Sequence, residues 1–195
     1  MSHVAILGIT GRAGSRIATE LLGRQHTVTG IARNIGQASP QPGLSIKAAD
    51  VTDGKALAKL LEGHDVVVSS TRFVGGIDAP TLIAAAKQAG VKRVVVVGGA
   101  GSLEVAPGLA LIDTPEFPEI YKAEASAGGV FLQALRGETE LDWTFISPPA
   151  LFEPGQPFGD GRLQRQRIAL PVFRGHAVAH HVPARQIEAA RGHVG

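Results

Sequence analysis

The 195-residue chain has no cysteine, which excludes disulfide staples and Cys-ligated zinc. Aromatics are few: seven Phe, one Trp and one Tyr. Long apolar runs are missing too; Val94–Val97 with its small neighbours is among the longest, far short of the roughly 20 residues a membrane span requires. Residues 1–7 place no basic segment ahead of an apolar one, so no signal peptide is expected. With cysteine absent as well, the expected setting is a reducing cytoplasm, away from membranes. Acid is scarce at one end only. Residues 161–195 hold six Arg, no Lys and the single acid Glu188, whereas residues 1–160 hold 13 Lys/Arg against 16 Asp/Glu. The body is therefore mildly acidic, which argues against a nucleic-acid surface.

At 44% hydrophobic and 18% charged, the remainder has the composition of one folded domain rather than a disordered chain. His3–Leu7, Thr27–Ala32, Leu44–Ala48, Asp65–Ser70, Val91–Val97 and Trp143–Ile146 read as strands. Between them, Arg12–Leu22, a segment capped by Asp53, Asp78–Ala89 and Glu119–Leu135 carry helical spacing and mostly end at glycine. Alternating strands and helices with unbroken valine runs predict an α/β fold: a Rossmann-type doubly wound parallel sheet, three layers deep, in a single domain. Residues 1–160 read as that nucleotide-binding domain with its substrate-side loops, and residues 161–195 as an atypical basic tail.

GITGRAG, Gly8 to Gly14, sits where the first strand meets the first helix. A diphosphate needs backbone N–H groups with no side chain in the way, aimed by a helix N-terminus. Gly8, Gly11 and Gly14 meet that need, and Thr10 adds a hydroxyl beside the turn. Cofactor choice should show at the end of the second strand, where an acid would bind a ribose 2′-hydroxyl. The chain has Arg33 and Asn34 there, so a 2′-phosphate and NADP(H) are preferred over NAD(H), with Arg12 contributing. Asp50 and Val51 end the third strand near the adenine, and Ser69, Ser70 and Thr71 end the fourth at the ligand-binding edge. Phe73, Phe117 and Phe152 are candidates to stack on a planar acceptor or simply to pack.

These residues resemble the NmrA-like atypical short-chain dehydrogenase/reductases, and among them the NAD(P)H-binding flavin reductases and biliverdin-reductase-B-like proteins. GITGRAG (8–14), IAR (31–33), ADV (49–51), DVVVSST (65–71), GVKRVVVVGGAGSLEVAPG (90–108), DTPEFPEIY (113–121) and LDWTFISPPALFEPG (141–155) carry the resemblance. It implies that Gly8, Thr10, Gly11, Arg12, Ala13 and Gly14 cradle the diphosphate and that Arg33 meets the 2′-phosphate. It further implies that Asp50 and Val51 border the adenine and that Ser69, Ser70 and Thr71 follow the ribose. Gly98, Gly99 and the stretch to Gly101, with Ser147, Pro148 and on to Ala150, would line the nicotinamide side.

Two features depart from the resemblance. Relatives in the wider superfamily place a lysine four residues after a tyrosine; here Tyr121 and Lys122 are adjacent and position 125 is Ala125. Ser102, Tyr121 and Lys122 stay as substrate-side candidates, and no catalytic residue is assigned. Hydride transfer to a flavin (FMN or FAD as substrate) or a quinone tolerates this loss, because solvent can supply the proton. A non-catalytic NADP(H) sensor that reports to a protein partner is the alternative. The second departure is the segment from Gly161, whose composition resembles an out-of-frame translation of a GC-rich gene. Its His176 and His180 would chelate zinc only on a helix, and no acid accompanies them, so no metal site is expected. Arg162, Arg165 and Arg167 read as a solvated basic segment.

Overall fold

A computed structural model describes residues 1–36, 41–148, 164–165 and 178–182. The strands and helices run β1 (His3–Leu7), α1 (Arg12–Gly23), β2 (Thr27–Ala32), β3 (Leu44–Ala48), α2 (Gly54–Leu61), β4 (Val66–Ser69), α3 (Ala79–Gln88), β5 (Arg93–Val97), β6 (Glu104–Ala106), β7 (Leu109–Ala110), α4 (Glu119–Arg136), β8 (Asp142–Ser147), β9 (Gln164–Arg165) and β10 (Val178–Val182). In the main sheet the strand order is β3-β2-β1-β4-β5-β8-β10-β9. The six strands from β3 to β8 are all parallel, and β10 returns antiparallel against β8. This is the doubly wound α/β architecture expected from the alternating pattern.

Strand periodicity explains the two cores. Ala5 and Leu7 of β1 face one side with Val67, Val94, Val96, Trp143 and Phe145, covered by Leu57 and Leu61 of α2, Leu82 of α3 and Leu132 and Leu135 of α4. Val4 and Ile6 face the other side with Val28 and Val68, covered by Ala18, Ile17, Leu21 and Leu22 of α1. Every β1 residue from Val4 onward is buried because both faces are covered, the condition that selects continuous apolar strands. Asp53 caps α2 by accepting from the Lys55 and Ala56 amides at 3.1 Å, and Asp78 caps α3 through the Thr81 amide at 2.8 Å.

Some expectations change in detail. β5 begins at Arg93 rather than Val91, which is buried ahead of the strand. Arg93 can enter the sheet because its guanidinium donates to Asp142 Oδ1 (3.0 Å) and Thr144 Oγ1 (2.7 Å) on β8. The β6–β7 hairpin was not expected; its segments are only three and two residues, too short to show periodicity. His180 and His181 lie on β10, opposite Phe145 and Thr144 of β8, so the helical spacing a His176–His180 chelate requires is not formed there. The backbone hydrogen bonds offered by the edge of β8 override the side-chain pattern. Pro149, Ala150, Phe152, Arg162, Arg167 and His176 lie outside the described residues, as does the compositional break at Gly161. Among the described residues no helix is long and apolar enough to cross a membrane.

Glu138, buried in the turn between α4 and β8, accepts from the amides of Glu140 (2.5 Å) and Leu141 (3.1 Å) and pairs with Lys87 Nζ at 2.9 Å. Burial pushes its carboxyl upward, but the hydrogen bonds from Lys87 and the two amides outweigh this and hold it below the ordinary 4.5. A depressed folded-state value contributes stability that is present above pH 4.5 and lost as the pH falls through that folded value. Urea denaturation from about pH 6 to about pH 3 is therefore expected to show an acid decline that Glu138→Gln makes shallower, while lowering the midpoint at the upper end.

Candidate functional site

At the carboxyl ends of β1 and β4 the winding direction of the sheet reverses, and a crevice opens there in any doubly wound fold. The local geometry follows from two glycines. Gly8 has φ +84°, and a Cβ on it would come 2.9 Å from the Ser70 carbonyl oxygen. A Cβ on Gly14 would overlap the Gly8 carbonyl and stand 2.7 Å from Ser70 Oγ. The turn closes through Gly11 N donating to the Gly8 carbonyl at 3.0 Å, and Gly8 N is held by the Ile31 carbonyl at 2.8 Å. The start of α1, whose first amides have no partners within the helix, is thereby brought up to the sheet edge.

A cleft of about 980 Å³ runs from this turn along the strand ends. Of the residues singled out from sequence, Gly11, Arg12, Ala13, Ser70, Thr71, Gly98, Gly99, Pro148, Ser102 and Tyr121 line it. Phe73 and Phe117 line it as well, with Ala100 and Gly101 of the loop after β5. One cleft thus joins the glycine turn to an outer end where Phe73, Phe117 and Tyr121 stand.

Other candidates sit elsewhere. Thr10 is exposed on the turn outside the cleft, and Gly8 and Gly14 lie behind it. Ser69 and Ser147 are 3% and 0% exposed, and neither lines the cleft. Val51 spends its side chain in the core. Ser70 uses its hydroxyl on the Leu7 carbonyl at 2.8 Å, so its side chain fastens the glycine turn. Lys122 is turned to Glu119, at 2.6 Å, and does not line the cleft. Arg33 is exposed at the end of β2 beyond the cleft, near Asp50. The Thr52 amide (3.0 Å) and hydroxyl (2.8 Å) both donate to Asp50 and lower its carboxyl pKa, with a smaller contribution from the Arg33 charge.

Position 125 has a structural reason to be small. A Cβ on Gly101 would lie 2.7 Å from the Ala125 Cβ, so α4 and the loop after β5 meet closely at this position. Tyr121 is left 61% exposed at the cleft mouth with no lysine one turn along the helix. Ser102 Oγ, by contrast, is buried in the cleft wall and unpartnered among the described residues.

Sequence reasoning missed Arg16, Arg72 and Glu124 as cleft residues. Arg16 is recoverable as one helical turn beyond Arg12, to whose carbonyl it donates at 2.8 Å. Nothing local marks Glu124, which meets its partners about fifty residues away in sequence.

This geometry is that of a doubly wound dinucleotide-binding protein, with a side-chain-free cradle at a helix N-terminus over the switch point. The chain belongs to the NAD(P)H-binding family, whose model matches residues 8–177. Three of the similar solved structures illustrate the likeness. One is a protein from Burkholderia pseudomallei named as exported, 43% identical, with a TM-score of 0.71 over 86% of this chain and 84% of that one. A second, from Bacteroides thetaiotaomicron and named as an epimerase, is 31% identical with a TM-score of 0.79 over 100% and 92%. A third, from Streptococcus pneumoniae and named as an NADH-flavin reductase, is 30% identical with a TM-score of 0.68 over 83% and 78%.

Because a Cβ at position 14 overlaps the Gly8 carbonyl, Gly14→Ala is expected to open the turn and weaken NAD(P)H binding by about tenfold or more, roughly 1.4 kcal/mol. Gly23→Ala, at a position with open space around it, should bind as wild type does. Fluorescence titration of both variants checks this.

Proposed function

We propose that this protein is an NADPH-dependent reductase of the NmrA-like, flavin-reductase type, passing hydride to a planar flavin- or quinone-like acceptor. The carrying observation is the single cleft that begins at the glycine turn and ends among Phe73, Phe117 and Tyr121, beside a position 125 that has no lysine. When bound, the dinucleotide supplies the hydride. The chain's own residues position: the amides of the Gly8–Gly14 turn hold the diphosphate, Arg33 holds a 2′-phosphate, and the Gly98–Gly101 loop with Pro148 flanks the nicotinamide. In this reading Asp50 borders the adenine, Thr71 follows the ribose and the Ser102 hydroxyl meets a polar group of nicotinamide or acceptor.

Reducing a carbonyl, or epimerising a sugar through a ketone, needs a group that moves the hydroxyl proton. Lys122 is paired with Glu119 and Ala125 carries no amine, so that chemistry is poorly supported. Flavin and quinone acceptors take their proton from solvent, which a cleft open at Tyr121 admits. The Streptococcus protein's name, an NADH-flavin reductase, supports the flavin acceptor and names NADH as that protein's donor. The missing lysine also favours a second reading, a sensor that binds NADP(H) and reports to a protein partner without turnover. For the reductase, the partner is a small molecule rather than nucleic acid, and the compartment is the NADPH-supplied cytoplasm.

NADPH and NADH titrations with Arg33→Ala as control test the cofactor. NADPH is expected to bind about tenfold or more tightly than NADH, and the variant to lose that preference. Steady-state oxidation of NADPH with FMN or menadione separates the two readings: turnover supports the reductase, and tight binding with no turnover supports the sensor.

A further inference from the structure

The loop after β4 is tied to α4 by one carboxylate. Glu124 Oε1 accepts the Phe73 amide at 2.7 Å, and Oε2 accepts the Val74 amide at 3.1 Å. Both oxygens are thus engaged by backbone, and the Arg72 Nε stands 3.8 Å away, beyond hydrogen-bond range. Such charge-assisted bonds to backbone amides are stronger than neutral ones.

One helical turn further along α4, Gly128 leaves room for the Phe73 ring: a Cβ there would come 3.0 Å from Phe73 Cε2. The ring is then boxed by Phe131 (centroids 5.3 Å, edge-on) and Phe145 (6.0 Å, stacked). The loop itself reverses tightly, since a Cβ on Gly76 would overlap the Arg72 carbonyl. Carboxylate, missing side chain and two rings all converge on one aromatic side chain that lines the cleft.

We propose that Glu124 is a positioning residue for the acceptor, holding Phe73 as a fixed wall of the outer cleft against which a planar ring system is seated. This rests on the reductase reading. Both Glu124 oxygens are spent on the Phe73 and Val74 amides, so it acts through Phe73. Losing it frees the Phe73–Val74 backbone, so the seat for the acceptor is lost, while the dinucleotide cradle, fastened through Ser70 and Leu7 rather than through Glu124, is unchanged.

The test uses the full chain with NADPH, taking FMN and menadione as acceptors, and compares Glu124→Ala and Glu124→Gln with wild type. Glu124→Ala is expected to raise KM for both acceptors about five- to tenfold with kcat within about twofold, the pattern of lost ground-state positioning. NADPH affinity by fluorescence should be unchanged, and amide exchange at Phe73 and Val74 should accelerate. Glu124→Gln should fall between, because one amide oxygen accepts where two carboxylate oxygens did. Unchanged KM in Glu124→Ala, or a parallel loss of kcat, NADPH affinity and melting temperature, overturns the positioning role alone. A folded wild type that reduces neither acceptor overturns the reductase reading, and this role with it.

Discussion

Where β1 and β4 end side by side, the Ser70 amide and hydroxyl both donate to the Leu7 carbonyl, at 2.9 and 2.8 Å. That pair of hydrogen bonds holds the end of β4 against the glycine turn so closely that neither Gly8 nor Gly14 has room for a side chain. Much else follows from this closeness. α1 starts immediately, its free amides face the crevice, and the crossovers leaving β1 and β4 lead to opposite halves of the sheet. The cleft is what remains between those halves.

The same closeness recurs on the far wall. α4 presents Glu124, Ala125 and Gly128 inward, and each governs how near another segment can approach. Ala125 lets the loop after β5 in, Gly128 lets Phe73 in, and Glu124 satisfies the two amides that this approach would otherwise leave unpaired. A helix with larger residues at these positions would widen the cleft and unseat both loops. Small size at position 125 therefore has a packing role beyond the mere absence of a proton-relay lysine.

Local chemistry made a good part of this legible from the chain. GITGRAG must form a turn without side chains wherever a strand meets a helix, and the Asp53 and Asp78 caps act within three residues of themselves. Valine runs can be stable only when covered on both faces. Less legible were the roles of single polar groups. Ser70 reads as a ligand contact, and only the fold shows that its hydroxyl also donates to the Leu7 carbonyl; Lys122 reads as a pocket cation, and only the fold shows it paired with Glu119 outside the cleft. Arg93, a charge at the head of an apolar strand, is intelligible only with Asp142 and Thr144 beside it.

The sequence by itself determined the order of the six parallel strands and their helices, the doubly wound class and the position of the glycine turn. These depend on periodicity and on backbone requirements within a few residues. Tertiary structure decided which of the candidate residues share one cleft, which are spent in the core or in ion pairs, and that β10 closes on β8 as a strand. It also brought Glu124 to Phe73. Contacts of that kind join segments about fifty residues apart, and they exist only once the packed sheet has brought those segments together.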